Sequence, residues 1–282
     1  MAKKKKKTAV KKDLGGTVVK TEKAEKKITK KQKTIIIVLS AALAALLVAG
    51  IVILSLALTV GLGNKSDTGV LRTRDVGNGF KKFYVEGGTY PGLYAVMTIQ
   101  AGEEERDVEI LLLPEYAPIT VNNFIQYVNE DFYDGTVFHR IVDGTTAFQG
   151  GGYTYEADEE GTYSYKVKTA THDAIKGEFK NGTGDYAYNI ISHFAGTISM
   201  ARANDKNSAT SGFFFIWDKC TSYDGDYAAF GFIVDPEDVR FVRSVASAAK
   251  ETATTSSDGS FVNPKPPITV TKVEIKDLRK GN

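Results

Sequence analysis

The chain has 282 residues, a net charge of +2, and 25% charged, 42% hydrophobic and 11% aromatic residues. That composition excludes a disordered chain, a collagen and a disulfide scaffold. The single cysteine, Cys220, excludes an intramolecular disulfide and any Cys-x-x-Cys metal or redox site.

Residues 1–33 hold fourteen lysines and three acids, a net of +11, so the rest of the chain carries −9. Few apolar residues interrupt the lysines, and such a segment does not bury enough surface to fold alone. Its charge suits anionic headgroups or nucleic acid, or serves only to set topology. From residue 34 to 64 there is no charged residue, and 35–60 is mostly Ile, Leu, Val and Ala. As a helix this run spans about 39 Å, more than a hydrocarbon core of about 30 Å. The apolar region of a cleaved signal peptide, the rival reading, is only about 7–15 residues long. Residues 1–33 are therefore expected to be a basic cytoplasmic tail and 34–62 an uncleaved transmembrane signal anchor. Lysines before the span place the amino terminus in the cytoplasm and the remainder outside, as a single-pass cell-membrane protein. The membrane is then the tail's partner, and no nucleic acid is expected. Residues 63–92, rich in glycine, are expected to be a flexible linker with one short ordered piece around 80–85.

Residues 93–276 are the right size for one domain, with 277–282 a tail. Strand candidates are 94–100 and 107–113, an opening hairpin around Gly102, then 136–142, 197–201, 213–217, 229–234 and 268–275. A helix opens at Pro118, with Val121, Phe124, Ile125, Val128 and Phe132 on one face, and Asp134-Gly135 turns the chain after it. A second follows Asp235-Pro236, an N-cap and a first-turn proline, with Val239, Val242, Val245, Ala246 and Ala249 inward. Residues 251–260 read as a polar loop. Many short strands and two helices predict a mainly β fold, a closed antiparallel barrel with a helix over each end.

No Gly-x-Ser-x-Gly, His-Glu-x-x-His or Walker loop is present, and no metal-spaced Cys/His set. Glu156, Asp158, Glu159 and Glu160 lack EF-hand spacing and read as a solvated loop. Four other blocks stand out: Phe138-His139-Arg140-Ile141-Val142; Gln149-Gly150-Gly151; Gly196 to Arg202 with Asn207 to Ile216; and Tyr223 to Gly231. Together with Ala117 to Phe124, Phe132 to Gly135, Lys176-Gly-Glu-Phe179 and Pro267 to Val270, they resemble the cyclophilin family of peptidyl-prolyl cis-trans isomerases over roughly 94–275.

The resemblance implies an eight-stranded antiparallel barrel capped by two helices, and non-covalent catalysis of X–Pro rotation. It implies no cofactor and no metal. Arg140 would be the catalytic arginine and Gln149 would orient it. Phe148, Ala201, Phe213, Phe215, Tyr223 and Tyr227 would bind substrate, Phe215 as the pocket phenylalanine. His139 would be structural. The expected partners are proline-containing polypeptides, exported proteins whose folding a monomeric enzyme would assist.

The chain also departs from the family. One extra residue separates Arg140 from Gln149, and Thr146 and Ala147 fall where the family has pocket Phe and Met. Either the pocket loses apolar wall or Phe148 swings in. Counted back from Ile216, Phe213 replaces a substrate-binding Gln. These changes motivate an alternative, a proline-peptide binding module or chaperone with little turnover. Residues 153–174, with four tyrosines, read as an ornamented loop of β-hairpin character, or else as a substrate-gripping flap.

Overall fold

A computed structural model describes residues 68–182 and 188–279. The basic tail and the apolar run 34–62 lie outside the described residues. Among those described, no helix is long and apolar enough to cross a membrane.

The fold is mainly β. Its strands are β1 (Val70–Gly77), β2 (Phe80–Glu86), β3 (Leu93–Ala101), β4 (Glu104–Leu112), β5 (Thr136–Phe138), β6 (Arg140–Val142), β7 (Ala147–Gly150), β8 (Tyr153–Ala157), β9 (Tyr163–Val167), β10 (Thr197–Met200), β11 (Phe213–Ile216), β12 (Ala229–Ile233), β13 (Thr254–Thr255), β14 (Phe261–Val262) and β15 (Ile268–Asp277). Among the described residues there are two α-helices, α1 (Pro118–Asn129) and α2 (Pro236–Thr252). Eleven strands form one antiparallel sheet in the order β13-β14-β6-β7-β11-β10-β12-β4-β3-β15-β5. β5 sits at one end of that order, and β6 lies near the other. Only His139 separates the two in the chain, so the sheet curls strongly back toward its own beginning.

Alternation along the strands fills the inside of this curl. Ala95, Met97 and Ile99 on β3 and Val108, Ile110 and Leu112 on β4 belong to one buried core with Phe138, Phe148, Phe213, Phe215 and Phe230. Helix α1 adds Val121, Phe124 and Val128, and the Phe124 ring lies 5.3 Å from Phe230 and 6.1 Å from Phe213. Its cap residue, Ala117, has no side-chain acceptor. The buried carboxylate of Glu178 takes that place, accepting from the Ile119 and Thr120 N–H groups at 3.0 and 2.6 Å. The Lys176 to Phe179 block thus serves the helix start. Helix α2 is capped as expected: Asp235 accepts from the Glu237 N–H at 2.8 Å. Its stripe packs inward with Phe241 added, and Asp238 pairs with Arg106 at 2.7 Å.

Part of the expected linker is ordered. β1 and β2 form a hairpin over residues 70–86. Asn78 and Gly79, with φ of 55° and 82°, make the tight two-residue turn whose left-handed pair matches strand twist. Phe83 then joins Tyr94, Leu111, Leu113, Ile191, Ala229 and Phe232 in a second buried cluster. Backbone bonds from Lys81 N–H to Ile190 and from Ser192 N–H to Lys81 fix β2 in place. The tyrosine-rich insert is also a hairpin, β8 with β9. Asp158 shapes its turn by accepting from the N–H groups of Glu160 and Thr162.

Candidate active site

The site grows from the β6–β7–β11 register. Arg140 stands opposite Gln149, and Gln149 opposite Phe214. Residues directly opposed in an antiparallel pair project to the same face. Arg140, Gln149 and Phe214 therefore share the outer face of the curled sheet. Ile141, Phe148 and Phe215, each one residue on, share the inner face.

This register corrects three substrate-binding assignments. Phe148, Phe213 and Phe215 have no exposure and lie in the barrel core. Phe148 stacks on Phe138 at 4.2 Å, and Phe213 meets Phe138 edge-on at 5.8 Å. Phe148 therefore does not swing outward, and the 143–146 turn before it gives Thr146 a left-handed φ of 50°. Gly151 explains part of the Gln149-Gly-Gly block: its φ is +79°, and a Cβ there would stand 2.7 Å from the Phe213 ring.

The outward aromatic is Phe214. It forms a third cluster with Ala147, Ile216 and Cys220, against which Val142, Ala201, Tyr223 and Tyr227 pack. Tyr223 and Tyr227 meet the Phe214 ring edge-on at 5.7 and 5.4 Å and lie 4.5 Å from each other. The Tyr223 hydroxyl donates to Thr145 Oγ1 at 2.7 Å. Burial raises its pKa, opposed chiefly by that hydrogen bond to Thr145, so the phenol stays protonated. Ala201 donates its N–H to Gly212 O at 2.9 Å. Gly212, at the outward position before Phe214, offers no side chain. Arg202 lies over the Tyr227 ring at 4.6 Å. The structure thus brings together Arg140, Gln149, Ala201, Tyr223 and Tyr227 of the expected set, and the phenylalanine on their face is Phe214 rather than Phe148, Phe213 or Phe215.

The guanidinium of Arg140 is held at three nitrogens. Nη1 donates to Gln149 Oε1 at 3.2 Å, Nε to Ser260 Oγ at 3.1 Å, and Nη2 to Asp258 Oδ2 at 2.8 Å. The side chain keeps 34% exposure. Asp258 and Ser260 come from the stretch expected to be only a polar loop. That loop lies beside Arg140 because β14 pairs with β6, Val262 opposite Arg140. No periodicity or motif marked it.

Neither nearby histidine is placed for proton transfer. Burial lowers the His139 pKa to about 4, and its ring packs on Tyr153 at 4.0 Å. His193 bridges Asp224 and Ser199 at 2.9 and 3.1 Å, the outline of a Ser-His-Asp triad. Yet His193 and Ser199 have no exposure. With Ser192 on the same carboxylate, this line ties the 221–225 turn to β10 and leaves no access for a substrate.

The candidate site is thus an arginine fork on the same sheet face as a cluster of aromatic side chains. Residues 96–275 match the model of the cyclophilin type peptidyl-prolyl cis-trans isomerases, and the chain belongs to that family as an enzyme of the isomerase class. It is 37% identical to peptidyl-prolyl cis-trans isomerase A of Dickeya dadantii, over 43% of this chain and 52% of the relative. That match spans about half the relative's length. To a peptidyl-prolyl cis-trans isomerase of Acinetobacter baylyi it is 34% identical, over 61% of this chain and 81% of the relative. To isomerase B of Escherichia coli it is 33% identical, over 47% and 75%.

Proposed function

We propose that this isomerase acts on proline-containing segments of exported polypeptides, from a domain held outside the membrane by residues 34–62, with Arg140 as its catalytic residue. The observation that carries the assignment of Arg140 is its placement: forked, partly exposed, and on the same sheet face as Gln149 and the Phe214 floor.

Rotation about an X–Pro bond is slow because it breaks amide resonance, with a barrier of about 18–20 kcal/mol. A catalyst needs only to bind the twisted amide better than either planar form. As the bond twists, the prolyl nitrogen turns pyramidal and becomes an acceptor. An Arg140 N–H not committed to Gln149, Ser260 or Asp258 donates to it, and no proton leaves the enzyme. Gln149 steadies the fork and engages the flanking backbone. The Phe214, Tyr223 and Tyr227 side of the groove receives the proline ring. The extracytoplasmic placement rests on the uncharged run 34–62 behind fourteen lysines.

The full chain is expected to accelerate cis-trans exchange of an Ala-Pro peptide measured by NMR exchange spectroscopy. Arg140→Ala is expected to lose about 10²-fold of that gain, the scale for removing one preorganised donor. A folded wild-type chain that shifts peptide resonances without speeding exchange would reduce the assignment to a proline-peptide binder.

A further inference from the structure

We infer that Asp258 is a positioning residue for catalysis: with Ser260 it fixes the plane of the Arg140 guanidinium, so that the arginine meets the prolyl nitrogen already oriented. This rests on the isomerase reading and on Arg140 as its catalytic residue.

The three groups make a ring of donated hydrogen bonds. Arg140 Nε–H goes to Ser260 Oγ, the Ser260 hydroxyl goes to Asp258 Oδ1 at 2.6 Å, and the other oxygen, Oδ2, accepts from Arg140 Nη2. Oδ1 also accepts from the Ser260 N–H at 3.0 Å. Each carboxylate oxygen thus has its own task, one building the turn and the other holding the arginine. The Ser260 contacts, then Arg140, hold the Asp258 carboxyl well below the usual carboxylate range.

The loop is built to stay put. Ser256 N–H donates to Ser260 O and Gly259 N–H to Ser256 O, at 2.7 and 3.0 Å. Ser260 is buried. β13 and β14 pair on either side of the turn, and β14 pairs with β6, the strand that carries Arg140. The guanidinium thus springs from β6 and the carboxylate from the short turn that joins β13 to β14, the strand paired with β6. A contact meant to open would not be anchored on both sides. An unheld arginine has many rotamers to lose when it meets the transition state; this one has lost them beforehand. Two N–H groups, one on each Nη, remain uncommitted within the fork.

The test uses the full chain, with kcat and KM for a proline peptide and the thermal midpoint measured together. Asp258→Ala and Ser260→Ala are each expected to lower kcat at least about fivefold, with KM within twofold and the midpoint near wild type. Asp258→Asn, isosteric but uncharged, should fall between Asp258→Ala and wild type. If Asp258→Ala does not fold, Asp258→Asn still reads the fork through faster solvent exchange of the Arg140 Nε–H resonance. A kcat within twofold of wild type for Asp258→Ala, a loss carried by KM, or an unchanged Nε–H resonance in the variant overturns the proposal. A wild-type chain without acceleration would instead overturn the isomerase reading, and this proposal with it.

Discussion

Phe213 and Phe215 fill the barrel while Phe214 packs on the opposite sheet face, in the cluster beneath Tyr223 and Tyr227, so one substitution has different consequences at adjacent positions. Phe214→Ala removes the apolar floor; burying a phenylalanine is worth about 1.5–3 kcal/mol, so proline-peptide affinity should fall at least about tenfold. Phe215→Ala opens a core cavity and should cost about 3–5 kcal/mol of stability, while its folded fraction binds peptide as wild type does. Peptide titration by NMR alongside urea unfolding separates the two; binding lost in Phe215→Ala and kept in Phe214→Ala would overturn this reading of the register. Three consecutive phenylalanines cannot announce their own facing. Counting back from Ile216 puts the outward face one residue off, and only the pairing of Phe214 with Gln149 corrects it. Arg140, Gln149, Tyr223 and Tyr227 could be picked out as candidates because each sits in a block of distinctive neighbours. Asp258 was not, since its partner is 118 residues away and its own surroundings are plain polar residues.

The same contrast holds for elements. β3, β4, α1 and α2 were readable because each buries one regular stripe, at period two or near 3.6. Of the first hairpin only the stretch around 80–85, within β2, was expected to be ordered; β1 was hidden by glycines and charges that suggest a tether, although Asn78-Gly79 is itself a strong hairpin signal. What orders the hairpin is tertiary: Phe83 lies in a cluster with Tyr94, Leu111 and Phe232, on the outward side of β3, β4 and β12, and its ring meets Tyr116 at 4.9 Å. An isolated two-stranded hairpin is marginal in water, so the barrel stabilises it and it covers the barrel in return. Phe83→Ala should therefore cost about 3–5 kcal/mol in urea unfolding and increase binding of a hydrophobic dye to the exposed cluster. An unchanged unfolding midpoint would show the hairpin to be merely laid on the surface.

Across the whole molecule the net charge of +2 is the sum of two regimes, a +11 tail and a remainder at −9. On the proposed topology a membrane separates them, and the barrel meets the pH of its surroundings rather than that of the cytoplasm. Its stability should then depend on His139 in a definite direction. Burial holds this histidine at a pKa of about 4, against 6.5 for an ordinary one. The unfolded chain takes up a proton there below about pH 6.5, whereas the folded chain does not until about pH 4. Stability from keeping the ring neutral is thus fully present above pH 6.5 and is lost as pH falls toward 4, by on the order of 3 kcal/mol at 1.36 kcal/mol per pH unit. The buried His193, whose pKa burial also lowers although Asp224 opposes the shift, acts in the same sense. His139→Phe should keep an apolar ring against Tyr153 while removing the titration. Urea unfolding of both proteins at pH 7 and at pH 4.5 isolates the effect, because a packing difference shifts the two pH values equally and only the titrating ring changes the slope. The wild type should lose more stability between those pH values than the variant does. Parallel losses would mean that the folded chain protonates His139 as readily as the unfolded one.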